Sequence, residues 1–289
     1  MASEARQQAS TSTVSPATTG RRHEGRHEIP LSLGMSLVTL GIVYGDLGTS
    51  PLYATKAIVR GQGGIAAMDQ QAVIGFLSLI IWTVTLITTV KYVLVAMRAD
   101  NHGEGGIFSL YNVVRRHWKG LTVIAMLGGS AFLADSVLTP AVSITSAVEG
   151  LRTVPALAST QLNSTIAAVV ISVIIIVALF TLQQAGTAHI GRYFGPAMLV
   201  WFAVIALIGA VSLVRTPQVL AALNPLAGVS FLLSGDNHAG FAILGSVFLS
   251  VTGAEALYSD MGHVGRPNIY ATWPLVKLAL LLNYLGQGA

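Results

Sequence analysis

An all-α protein with several membrane-spanning helices is the fold class this sequence predicts, on three observations. Apolar residues make up 53% of the 289 positions and the four charged types only 10%, against roughly 25% charge in soluble domains. Apolar segments recur along the chain, each close to the ~20 residues that cross a bilayer. Lys and Arg cluster in the tail and between those segments, as loop charge does in a membrane protein. The net charge of +4 therefore does not point to a nucleic-acid partner. The absence of cysteine excludes disulfides, Cys-ligated zinc and thiol catalysis within the chain.

Residues 1–30 are rich in Ser, Thr, Gln, Arg and His and too polar to bury, so a disordered tail is expected there. Glu4, Glu24 and Glu28 argue against an organellar transit peptide. The transmembrane domain follows, over 31–289. Its spans are expected at about 31–59, 72–97, 121–148, 164–182, 195–214, 239–260 and 272–286, about seven in all. Between the second and third, Ile107, Leu110, Tyr111 and Val114 recur at helical spacing beside Arg115 and Arg116, the pattern of a short interfacial helix. Arg6, Arg21, Arg22 and Arg26 precede span one, and Arg98, Arg115, Arg116 and Lys119 lie between spans two and three. Alternating spans put both groups on one side, and the positive-inside rule makes it the cytoplasmic side, N-terminus included. The opposite side carries Lys56, Arg60, Arg152 and Arg215.

Three carboxylates fall inside apolar spans: Asp46 in the first, Asp135 in the third and Glu255 in the sixth. An Asp at a helix centre costs roughly 2.5–3.5 kcal/mol, so such groups face a partner, a cavity or a substrate path. Asp135, Thr139 and Ser143 are spaced i, i+4 and i+8 and share one stripe of a helix. Asp46 and Tyr53 are two turns apart, and Thr252 and Glu255 lie three apart. Carboxylate and hydroxyl oxygen without His or Cys suits a hard or alkali cation better than zinc or copper.

Two of these spans carry helix breakers beside the acid. Span one reads GIVYGDLGTSPLY over 41–53, with Gly45, Gly48 and Pro51, and the Pro ring removes a backbone hydrogen bond. Span six reads SVTGAEALYSDMG over 250–262, with Gly253 near its middle. Irregular backbone at membrane depth survives where it lines protein or a cavity, and its freed carbonyls can hold a cation. Interrupted spans five apart point to a carrier built from inverted five-helix repeats.

These residues support a family resemblance. The blocks GIVYGDLGTSPLY (41–53), ADNHGEGGIFSLYNVVRR (99–116), DSVLTPAVSITSAVEGL (135–151) and SVTGAEALYSDMGHVGRP (250–267) resemble the KUP/HAK/KT potassium uptake family, over everything after the tail. The resemblance implies a multi-pass, proton-coupled potassium symporter of the bacterial inner membrane. It also implies the LeuT-like fold of the amino-acid/polyamine/organocation superfamily. Carried over by position, the cation site draws on Asp46, Tyr53, Asp135, Thr139, Ser143, Thr252 and Glu255, with potassium at Asp46, Asp135 and Thr252 and proton coupling at Glu255 and Asp46. Potassium and protons are the cargo, and no other cofactor is expected. Ala134 stands where relatives often have Gly. The family has about twelve spans and a cytosolic domain, so these residues correspond to a first repeat, about 31–214, and the start of a second, about 239–289. On this reading the 289 residues alone are not expected to transport, unless a homodimer closes the cavity.

Other signals are weaker. GEGGIF at 103–108 lacks the preceding strand and the Lys of a phosphate-binding loop. His102, His117, His189, His238 and His263 fall at loop or span ends and are read as solvated or interfacial, as is Glu149. Tyr44-Gly45-Asp46 resembles the first acid of an intramembrane aspartyl protease, but no second Gly-x-Gly-Asp follows, and no enzyme is expected. The alternatives kept open are an amino-acid or other cation carrier of the same fold and a channel-like or non-transporting protein.

Overall fold

The computed structural model describes residues 29–115, 120–155, 164–183 and 187–289. Residues 1–28 of the expected tail, with Arg6, Arg21, Arg22 and Arg26, and also Arg116, His117 and Lys119, lie outside them. The described residues are mainly helical, joined by turns and short loops. They form no strand, only an isolated bridge between Asn101 and Glu104.

The first apolar segment is interrupted. Helix α1 (Leu33–Ile42) starts on Ser32, whose hydroxyl accepts from the Met35 backbone, and stops at Val43 and Tyr44. The chain resumes as α2 (Gly45–Thr49), a 3-10 turn at Ser50–Leu52 and α3 (Ala54–Gly61). The break thus precedes Gly45, Gly48 and Pro51, the residues expected to cause it. Gly48 serves packing instead, since a β-carbon there would lie 2.8 Å from the tips of Met198 and Phe202.

Helix α4 (Gln70–Thr83) is capped by Asp69, which accepts from the Ala72 backbone at 2.7 Å. It continues as a π-helix over Val84–Val95 and a 3-10 turn to Arg98, a widened stretch of the kind that recurs at functional sites. Helix α5 (Ile107–Val114) forms where the sequence predicts a short helix. Long helices follow: α6 (Leu121–Leu151), α7 (Thr165–Gln183) and α8 (Thr187–Arg215). The sequence reading had no helix at α9 (Pro225–Leu233), which starts on the Asn224 cap with Pro225 in its first turn and packs on α4.

The sixth apolar segment is also broken. Helix α10 (Ile243–Phe248) runs into a 3-10 turn ending at Val251, residues 252–255 form turns, and α11 (Ala256–Ser259) and α12 (Met261–Val264) carry the chain to α13 (Arg266–Gln287). By length and composition, three helices among the described residues suffice to cross a membrane: Gln70–Arg98, Leu121–Leu151 and Tyr193–Arg215. Leu33–Ile42 and Gly240–Val251 are shorter apolar pieces of the interrupted segments.

The core lies among α1–α3, α4, α8 and α10–α13. Tyr44, fully buried, stacks on Trp273 with centroids 6.1 Å apart and donates to the Ile269 carbonyl at 3.1 Å. Helices α8 and α13 approach backbone to backbone where Gly209 faces Leu282 and Gly286, as small residues permit in membrane helix pairs. Helix α6 is covered far less: Val123, Leu127, Leu133 and Leu138 are all exposed, and only 11% of its most apolar window is buried.

Each end of the bundle carries an ion pair. At one, Ser32 and Pro30 bond to Asn268 and Asp100 pairs with Arg266. At the other, Lys56 pairs with Glu149 near Arg60 and Arg152. Glu149, expected to be simply solvated, is half of an ion pair at the surface.

Candidate cation site

Two interruptions and one straight helix meet at the centre. Thr252, with φ −57° and ψ 135°, turns the backbone out of the helix, and Gly253, with φ +83°, completes the turn. A β-carbon on Gly253 would come within 2.6 Å of the Asp46 β-carbon and 2.8 Å of the Leu47 nitrogen. The break in span six can therefore rest on the break in span one only if residue 253 is glycine. Across the contact Ser50 donates from its hydroxyl to the Thr252 carbonyl at 3.3 Å.

Helix α6 supplies the third side. Oxygen atoms of Asp46, Asp135 and Glu255 all lie within 4.8 Å of one another, and each residue is half-buried. At 4 Å and an effective dielectric of 20, two carboxylates repel by about 4 kcal/mol. The cluster therefore calls for compensation by a cation or by protons. The donor set is oxygen alone, which fits a hard or alkali cation and offers no imidazole or thiolate to a transition metal.

The remaining expected residues are placed as follows. Thr139 donates to the Asp135 carboxylate at 2.7 Å and holds its orientation. Ser143, one turn further along the stripe, meets the Thr49 hydroxyl at 3.1 Å. Tyr53 is buried, its hydroxyl 3.2 Å from that of Ser50 and within reach of the Thr252 side chain. Thr49 and Ser50 thus connect three of the expected residues, and the sequence reading passed over both. Their signal was present: consecutive hydroxyls between a Gly and a Pro in an apolar span. Thr49 also caps its own turn by donating to the Asp46 carbonyl at 2.9 Å, while Trp201 donates to the Gly48 carbonyl at 2.9 Å. Nothing in the sequence marks Trp201 as a partner of that backbone.

A cavity of about 630 Å³ opens from Asp135 and Glu255, lined among others by Lys91, Tyr92, Phe132 and, at the Arg98 end, Gly105 and Gly106. A second, of about 580 Å³, lies on the other side of the Ser50–Leu52 turn, against Pro51, Thr55, Lys56, Arg60 and Gln287.

Residues 33–289 match the sequence model of the K+ potassium transporter integral membrane domain. The chain belongs to this potassium transporter family. It is 58% identical over 255 residues to the probable potassium transport system protein Kup 2 of Bifidobacterium longum, covering 88% of this chain and 35% of that protein. To the probable Kup protein of Clostridium perfringens it is 54% identical over 259 residues, covering 90% of this chain and 39% of the relative. To the Kup 2 protein of Lactococcus lactis the figures are 55% over 254 residues, 88% and 37%. The chain thus spans little more than a third of the length of the curated relatives it matches. No solved structure matches it significantly. In this member of the potassium transporter family, the three carboxylates and both helix interruptions all lie inside the matched region.

Proposed function

We propose that this chain carries the cation site of a proton-coupled potassium importer of the inner membrane, with its N-terminus in the cytoplasm. The observation that carries this reading is the meeting of Asp46, Asp135 and Glu255, from three separate apolar segments, at two helix interruptions. Three acids at membrane depth call for a cationic load and argue against an amino-acid cargo. Relatives named as potassium transport proteins supply the identity of the ion. Potassium is held by Asp46, Asp135 and the Thr252 carbonyl, with hydroxyls of the Tyr53, Thr139 and Ser143 group around it. Glu255, with Asp46, carries the proton. It stands at the break in span six beside the open cavity, where a carboxyl group can exchange protons with water.

On this reading the two interrupted segments are the first and sixth helices of a LeuT-like inverted repeat, 31–214 and 239–289 belong to its two repeats, and the two cavities are the approaches from opposite faces. The cavity ending at Gly105 and Gly106 faces the cytoplasm, on the side of Arg98 and Arg115.

The test is rubidium uptake into liposomes containing a chimera of this chain with the remaining segments of a Kup relative, with a proton gradient imposed, acid outside. Accumulation above equilibrium that vanishes when an ionophore collapses the gradient is the expected result. Uptake that only equilibrates, at a rate indifferent to the ionophore, identifies a channel and overturns the symport reading.

A further inference from the structure

The cavity beside the acid cluster contains a positive charge that cation binding does not use. Lys91 sits in the π-helical stretch and lines the same cavity as Asp135 and Glu255. Among the described residues it makes no ion pair, and its ammonium group rests 4.8 Å from the centroid of the Tyr92 ring. Such a contact is worth about 0.5–1 kcal/mol where water reaches it, so it is easily exchanged. Lys91 is exposed, and the cavity it shares with the acids is also lined by the apolar side chains Ala96, Ile107, Ala131 and Phe132, beside which charges are less well screened than in open water. Lysine is a compact charge on a flexible four-carbon stem, suited to move within a cavity of this size.

We propose that Lys91 is a tethered counter-cation for the site. As the transported ion leaves into this cavity, the Lys91 ammonium moves from the Tyr92 face toward Glu255 and Asp135. It takes over part of the ion's charge compensation and opposes rebinding from the same side. Lys91 is thus a positioning charge that speeds release, and the inference rests on the reading of Asp46, Asp135 and Glu255 as the cation site.

The experiment follows rubidium-86 binding and dissociation in lipid nanodiscs with a chimera that joins this chain to the remaining segments of a Kup relative. Lys91→Gln is expected to slow dissociation and tighten equilibrium binding, each by about tenfold (~1.4 kcal/mol), and Lys91→Arg to stay near the parent. Because these 289 residues contain no cysteine, Lys91→Cys provides a second arm once any cysteine in the added segments is replaced by serine. Modification of the folded protein with aminoethyl methanethiosulfonate, which restores a positive charge, should restore fast release; the neutral methyl reagent should not. Equal dissociation rates with the two reagents, or Lys91→Gln within about twofold of the parent, overturn the proposal. Loss of the underlying reading looks different: Asp135→Asn would then bind rubidium as the parent does, whatever occupies position 91.

Discussion

A β-carbon at position 253 would lie 2.6 Å from that of Asp46, at a residue whose φ of +83° already favours glycine. Gly253→Ala meets both constraints together. The left-handed backbone alone costs about 1–2 kcal/mol in an L-residue, and the clash displaces the carboxylate that faces Asp135 and Glu255. We expect a lower melting temperature and weakened rubidium binding in the same variant. Melting and binding both unchanged would mean that the two breaks do not rest on each other. Asp135 is held by Thr139, so Asp135→Asn keeps the shape and removes the charge. Uptake should fall at least tenfold, equivalent to ~1.4 kcal/mol of ion stabilisation, and a fall of less than about twofold rules Asp135 out as a ligand. Glu255→Gln keeps a near-isostere with no proton to exchange. It should permit rubidium exchange while abolishing the acid stimulation of net uptake, and a pH profile identical to the parent's removes Glu255 from the coupling. The three acids were legible in the chain because a charge inside an apolar run is costly enough to need a reason. Thr49 and Ser50 were not singled out, since hydroxyls in membrane helices commonly bond their own backbone, as Thr85 does to Ile81.

Broken segments need clasps at their ends, and two are present. Gln62, just after α3, is buried and donates to Asn237 at 2.7 Å, while its carbonyl accepts from the His238 backbone at 2.9 Å. Asn237 in turn donates to the Gly240 carbonyl at 2.9 Å, so the end of span one is tied to the start of span six. Gln62→Ala removes one side of a buried polar pair, which costs about 1–3 kcal/mol, and thermal unfolding in detergent should register it. At the opposite end the 99–106 loop is held to the sixth segment by the Tyr258 hydroxyl donating to the Ala99 carbonyl, and to the start of α13 by the Asp100–Arg266 ion pair. Arg266→Gln should raise hydrogen exchange in that loop, with Arg266→Lys intermediate; equal exchange in all three proteins would show that the loop is held otherwise. Neither clasp is legible in the sequence, because its members stand more than 150 positions apart. The helix breaks were legible as segments but not to the residue. Backbone geometry chose Val43 and Tyr44, with Tyr44 anchored on Trp273 and Ile269, and gave Gly48 to contact with α8.

The core joins the interrupted segments to α4, α8 and α13, whereas α6, which brings Asp135, is mostly uncovered. Its exposed apolar side chains are a surface for lipid or for further protein. With that wall open, Asp46, Asp135 and Glu255 still meet, but the site is not enclosed. The 289 residues alone are therefore expected to bind rubidium weakly at best and not to accumulate it. Reconstitution of this chain in liposomes with an imposed proton gradient checks this, and robust accumulation would show that the chain closes its own cavity, as a homodimer of it would.

The membrane setting, the polar residues that need a reason and the family were all present in the order of amino acids. Each follows from a local quantity: the length of an apolar run, the cost of a charge within it, the presence of Gly or Pro beside it. The distances within the acid cluster, the bonds through Thr49 and Ser50, the seating of Gly253 on Asp46 and the sharing of one cavity by Lys91 and Glu255 depend on how separate segments pack. One-dimensional spacing carries no information about which faces will meet. Those features arise only when the interrupted helices bury their apolar faces against α4, α8 and α13 and bring Asp46 and Glu255 against α6.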